Sequence, residues 1–204
     1  MMISNELEEL LVKHVGDLDD GAKRLTAVSM RVGEAMDELT ADWALEQQWE
    51  KGDGSWNDDA DLSVAPPEWK NGDAWLSWFG LDYGSGDDGE FSATNDYFWL
   101  TRLCREGEGQ IGFRFNQDIV PKVPWKKFLK AKGNQFAAAG FILDDEPSLF
   151  LPIRVDVTTL AAAVREEKIE DGLQALRDSL DTLRRSRPQF DALIAEAKQT
   201  QGIS

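Results

Sequence analysis

The apolar residues of this chain change their spacing twice, and that switch limits the folds open to it. From Leu7 to Trp43 they recur every three or four residues. From Ala74 to Val155 they fall in short runs broken by Gly, Asp and Pro, and from Leu160 to Ala197 the three-four spacing returns. A three-four recurrence puts side chains on one face of a helix, whereas short bounded runs with alternating or aromatic residues read as strands. Helices, then strands, then helices is the order of an α+β fold, because a parallel α/β sheet alternates the two along the chain. The expected architecture is an N-terminal helical hairpin, a central, mainly antiparallel sheet of about five strands, and C-terminal helices.

The details follow from the same signals. Leu7, Leu10, Leu11, His14 and Val15 mark a first helix that Gly16 can end. Leu25, Val28, Val32, Ala35 and Leu39 mark a second, capped by Asp19 or Asp20, so the reversal falls around Asp17–Asp20. Residues 51–73 carry Gly, a Pro66-Pro67 pair and several aspartates, and read as an acidic loop. Tyr97–Arg105 and Gln110–Asn116, separated by a Gly-containing stretch, read as one hairpin; Phe141–Leu143 and Leu149–Val155 read as another. Pro124–Lys132 reads as a short basic helix, and Pro188 suits the first turn of a last helix. The segments are thus 1–50 (helical), 51–73 (acidic loop) and 74–204 (α+β), expected to form one compact unit.

Charge divides the chain more sharply than hydropathy does. Of its 204 residues, 38 are acidic and 22 basic, a net charge of −16. Residues 1–100 hold 23 acidic and 6 basic side chains, net −17; residues 101–204 hold 15 and 16, net +1. The first half repels a polyanion, so direct nucleic-acid binding through it is not expected; attraction to a basic partner is. The lysines around Trp125 and the Arg184–Arg187 group read as solvated helix faces. No run approaches the roughly 20 apolar residues that span a bilayer, and the first residues lack a basic and then apolar leader. The expectation is a cytoplasmic protein with no membrane contact.

The inventory of reactive side chains is narrow. One cysteine, Cys104, and one histidine, His14, allow no internal disulfide, no Cys/His zinc site and no neighbouring Cys–His pair. Cys104 is expected as a buried thiol and His14 as a partly buried ring on the apolar stripe. Phosphate-binding glycine loops and the Gly-x-Ser-x-Gly and His-Glu-x-x-His motifs are absent from the sequence. A calcium loop starting at Asp53 fails at its sixth position, Asp58, and its twelfth, Val64.

The candidate binding residues are therefore the acidic and aromatic ones. They are Asp53, Asp58, Asp59 and Asp61 in the first acidic segment, Asp87 and Asp88 in a second, and Trp56 and Trp69. Six of the eight tryptophans lie between Trp43 and Trp78. Most are expected in the core; Trp56 and Trp69, with polar neighbours, are expected to be the exposed ones. The leading reading is a non-enzymatic acidic protein, needing no cofactor, that engages a basic protein surface; one form of it is an inhibitor that imitates nucleic-acid charge. An alternative is a phosphodiesterase or nuclease-like enzyme holding magnesium on Asp144, Asp145 and Asp156. A third is a structural subunit that forms a homodimer through residues 1–50.

Overall fold

The structure, a computed structural model, describes residues 5–59, 61–84, 98–106, 109–143 and 148–201. Helices α1 (Asn5–Lys13) and α2 (Val15–Gln47) lead into β1 (Glu50–Lys51), a one-turn helix α3 (Trp56–Asp59) and β2 (Leu62–Ala65). A ribbon of β3 (Lys70–Asn71) and β4 (Ala74–Trp75) precedes β5 (Ser77–Gly84). Then come α4 (Trp99–Cys104), β6 (Gln110–Gln117), α5 (Lys122–Lys132), β7 (Ile142–Leu143), β8 (Leu149–Ile153), α6 (Val157–Arg165) and α7 (Gln174–Gln201). Six strands form one sheet in the order β1-β2-β5-β6-β8-β7, with every neighbouring pair antiparallel. The fold is α+β, with helices at both ends of the chain and the sheet between them.

The period of two sorts the strands into an inner and an outer face. Leu62 and Val64 sit opposite Leu81 and Phe79, and these sit opposite Phe113 and Phe115. All six are buried and form the inner face. Phe190 of α7 lies 4.9 Å from Phe79 and 4.6 Å from Phe115, and Trp49, just past α2, stacks 6.1 Å from Phe79. The Trp43 indole N–H donates to Asp181 at 3.1 Å, which ties α2 to α7 over this face.

On the outer face, Phe150 occupies space that only glycine leaves. A Cβ on Gly112 would fall 2.7 Å from the Phe150 ring and 2.2 Å from the Leu151 carbonyl oxygen. The neighbouring backbone cannot yield as a side chain tip could. Gly112→Ala is expected to destabilise the protein by about 1–3 kcal/mol through overpacking. Urea unfolding measures it, and an unchanged midpoint would contradict this placement of the ring.

Several sequence expectations hold. The β7–β8 hairpin forms with Ile142 opposite Phe150 and Leu143 opposite Leu149. The basic helix α5 buries Trp125 and Leu129 and leaves Lys126, Lys127 and Lys130 in solvent. Cys104 is buried, and burial pushes its thiol pKa up.

Others are corrected. No reversal occurs at Asp17–Asp20, which lie inside α2; a single residue, His14, separates the two helices, too few for a hairpin connection. His14 is exposed, because residues 5–21 meet none of the core. Residues 51–73 are not a loop: they supply the end of β1, α3, β2 and β3, which raises the main sheet to six strands. The signal was Leu62 alternating with Val64, hidden between aspartates and prolines. Residues 98–104 do not pair as a strand. Leu100, Leu103 and Cys104 are buried at helical spacing in α4, and Arg105 ends it in the left-handed region at φ 53°. Strand β6 pairs with β5 and β8 instead. Pro188 lies inside α7 and does not start it; burial of Leu180, Leu183, Phe190 and Leu193 along that helix offsets the one lost ladder bond. Among the described residues no helix is long and apolar enough to cross a membrane.

Candidate functional site

Helix α2 ends at Gln48, which takes the left-handed conformation at φ 57°, and the chain turns directly into β1. In the β1–β2 pair Glu50 lies opposite Ala65, and the Gly52 N–H continues the ladder to the Ser63 carbonyl at 2.9 Å. Alternation therefore brings Glu50, Gly52 and Ser63 to the outer face, behind the buried Leu62 and Val64.

The β3–β4 ribbon folds over this region. Its two-residue turn, Gly72-Asp73, has Gly72 at φ 65°, the conformation that suits glycine in a tight hairpin. Lys70 and Trp75 are direct cross-strand partners, and both reach Glu50. The Lys70 ammonium forms an ion pair with Glu50, and the Trp75 indole N–H donates to the same carboxylate at 3.4 Å. Lys70 bonded to Glu50 holds that carboxyl below its ordinary range, against desolvation, and the indole N–H adds to the lowering. From the sheet itself, β5 brings up Trp78, opposite Asn116, and Asp118 follows the end of β6 with its N–H on the Leu76 carbonyl at 2.9 Å.

The result is a cleft of about 580 Å³. Trp75 and Trp78 line it, each half-buried, together with the exposed residues Asp53, Asp61, Asp73 and Asp118. None of the four aspartates is ion-paired with a described residue. The lysines nearby are committed, Lys70 to Glu50 and Lys51 to the carbonyls of Gly52 and Gly54 at 3.2 and 2.8 Å. Ser63 also lines the cleft. It is 5% exposed, and its hydroxyl has no hydrogen-bond partner among the described residues. A Cβ on Gly52 would lie 2.4 Å from that hydroxyl and 3.4 Å from the Trp75 ring, so glycine there keeps the cleft open. The site thus offers two indoles, one buried hydroxyl and an excess of acidic over basic side chains. Among the described residues no three carboxylates converge into a metal-ligand group.

Of the residues singled out from the sequence, the structure brings Asp53 and Asp61 into this cleft. Asp58 is exposed elsewhere, bonded to the Ser55 hydroxyl at 3.0 Å and close to Asp37 of α2. Burial pushes the Asp37 carboxyl up and Asp58 adds to it, while the Trp56 N–H and Lys51 act in the opposite direction. Asp59 closes α3. Asp87, Asp88, Asp144 and Asp145 lie outside the described residues.

Trp56 and Trp69 are not exposed. They are 3% and 6% accessible, Trp56 against Tyr83 and Trp99, Trp69 against Phe79 and Phe115. Trp56 opens α3 and Trp69 closes a one-turn helix at Pro67–Trp69, and in each the indole points in while an acidic neighbour, Asp58 or Glu68, is exposed. The half-buried indoles are Trp75, Trp78 and Trp99; the first two line the cleft, and their signal was their place beside Ser77 and Phe79. With Phe79 inward, the period of two sends Trp78 out. Asp73 and Asp118 carried no local signal, since the ribbon and the β6 end meet only in the fold.

Asp156 has a structural role. It is the N-cap of α6, and its Oδ1 accepts from the Thr159 hydroxyl and the Thr159 N–H, both at 2.7 Å. The Thr159 hydroxyl, then the N–H, holds the Asp156 carboxyl below its ordinary range. A lowered folded-state pKa gives stability that is present above the unfolded value and is lost as pH falls through the folded one. Asp156→Ala is therefore expected to lower the melting temperature by a few degrees at neutral pH. The difference from wild type should vanish in acid below the folded-state pKa; a gap of constant size across the pH range would contradict the cap.

The two halves of the chain do not neutralise each other at the cleft. Arg114–Asp82 at 2.8 Å and Arg187–Glu68 at 2.9 Å join them elsewhere. No protein-family model matches the chain, no curated protein matches it, and no solved structure matches its fold. What the fold and the site define is an α+β chain with an acidic, tryptophan-lined cleft on the outer face of its sheet.

Proposed function

We propose that the protein is a non-enzymatic binding protein that engages a basic segment of a partner protein, and that the acidic cleft receives arginine or lysine side chains from it. The observation that carries this reading is one cleft lined by two indoles and by four aspartates that are not ion-paired with any described residue. A cation over an indole is attracted by the ring quadrupole, and arginine also stacks on it. The surrounding carboxylates draw the same cation in and accept its hydrogen bonds, and the Ser63 hydroxyl offers one more acceptor. A neutral ligand would leave the four negative charges uncompensated. The net charge of −17 on residues 1–100 adds long-range steering of a basic partner.

The test is titration of an arginine–glycine repeat peptide into the full chain at about 50 mM and about 500 mM salt. Binding that weakens strongly with salt, with no binding of the glutamate–glycine counterpart, is the expected result. Equal affinity at both salt levels, or equal binding of the acidic peptide, would rule the proposal out.

A further inference from the structure

The N-terminal helices form an arm that the other described residues leave uncovered. Every residue from 5 to 27 is exposed except the partly buried Ala22. Within it Leu10, Leu11, Val15, Leu18 and Leu25 are 37–64% accessible, an apolar stripe that no described residue outside the arm covers. Helices in proteins draw most of their stability from packing an amphipathic face, so a stripe of this kind calls for an occupant. We infer that the occupant is the same arm of a second copy, laid antiparallel across it, and that this pairing makes the protein a homodimer. The inference is independent of the cleft and stands or falls without it.

Three observations select a second copy in that orientation. First, the stripe continues along α2 into Val28, Val32, Met36 and Leu39, which the chain's own core covers. A helix laid parallel on the stripe would run on into that core, whereas an antiparallel one ends where the core begins. Second, the charges of the arm match level by level. Near its tip stand Glu8, Glu9 and Lys13, of which Glu9 and Lys13 pair within the chain, and near its base stand Asp19, Lys23 and Arg24, of which Asp19 and Lys23 pair. With Leu7 of one copy level with Leu25 of the other, antiparallel pairing sets Glu8 level with Arg24, Glu9 with Lys23 and Lys13 with Asp19; parallel pairing would set each charge beside its like, where like charges repel. Third, the stripe is self-complementary about its own centre. With Leu7 of one copy level with Leu25 of the other, Leu10 meets Ala22 and Leu11 meets Gly21, and at the centre the His14 ring meets Leu18. Residues 5–27 span about 35 Å of helix, enough for several hundred Å² per chain, the order of the ~800 Å² per partner in stable interfaces.

The experiment is light scattering of the full chain after size exclusion, for wild type and for the double variant Leu11→Glu/Leu18→Glu, with cysteine cross-linking to fix the orientation. Wild type is expected at twice the 22.9 kDa chain mass. The double variant is expected as a monomer, with dissociation of the pair strengthened by roughly 100-fold or more. Its thermal unfolding should remain cooperative, since none of the altered side chains lies in the core. Under mild oxidation Leu7→Cys/Leu25→Cys should give a cross-linked dimer and Leu7→Cys alone should not. A wild-type monomer up to about 100 µM, a dimer that survives the double variant, or a cross-link through Leu7→Cys alone would each overturn the proposal.

Discussion

Trp69→Ala is expected to cost about 3–5 kcal/mol of folding stability, the usual range for truncating a large aromatic residue in a packed core. Trp69 joins the strand face to α7. Its ring lies 5.4 Å from Phe79, 5.7 Å from Phe115 and 6.5 Å from Phe190, and its N–H donates to Asp191 at 2.7 Å. Truncation leaves a cavity between sheet and helix and deprives the Asp191 carboxylate of its indole donor. For a chain of this size the loss should lower the melting temperature by roughly 10 °C or more. Trp75→Ala, at the cleft, removes a half-buried ring and should cost less than about 1 kcal/mol. Thermal and urea unfolding of the two variants check the pair. A Trp69 variant as stable as wild type, or less affected than the Trp75 variant, would mean that core and cleft indoles have been exchanged.

The second large effect concerns binding. Replacing Asp53, Asp61, Asp73 and Asp118 together by asparagine keeps side-chain size and removes four negative charges from the cleft. Each exposed charge contact is worth about 0.2–1 kcal/mol, so the set should weaken binding of the arginine–glycine peptide on the order of 10–100-fold. The fold should not suffer, because these aspartates are not ion-paired with any described residue and their mutual repulsion is relieved. Trp75→Ala/Trp78→Ala, removing the two cation–π faces, should cost roughly tenfold in the same titration. Its salt dependence should persist, since the carboxylates remain. Calorimetry separates the two: loss of salt dependence belongs to the aspartate variant and not to the tryptophan variant.

How much of this could be read beforehand depended on how far each feature reached along the chain. The order helix, strand, helix was legible because period 3.6 and period 2 are local signals. Cys104 was legible for the same reason, set as it is in an apolar run. The strand β2 was not, since four residues alternating between aspartates and prolines carry too little pattern to stand out from a loop. Residues 98–104 show the reverse failure: an aromatic run suggests a strand, yet tertiary packing of Leu100, Leu103 and Cys104 makes it a helix. At the site, Asp53 and Asp61 were legible as acidic residues in a distinctive segment. Their partners were not, because Asp118 lies 57 residues beyond Asp61 in the chain and reaches the cleft only when β5 and β6 pair. Exposure of the tryptophans was misread for a related cause. Neighbour polarity reports on the surface of a segment, whereas in a one-turn helix at Trp56 or Trp69 a single side chain can point inward alone.

The indole N–H spectrum of the protein, with one signal expected from each of the eight tryptophans, locates a bound cation without assuming where it sits. On titration with the arginine–glycine peptide, the Trp75 and Trp78 signals should move together and saturate, while those of Trp56 and Trp69 stay in place. Movement confined to other indoles, or a spectrum unchanged at saturating peptide, would contradict a cation-binding cleft on the outer face of this sheet.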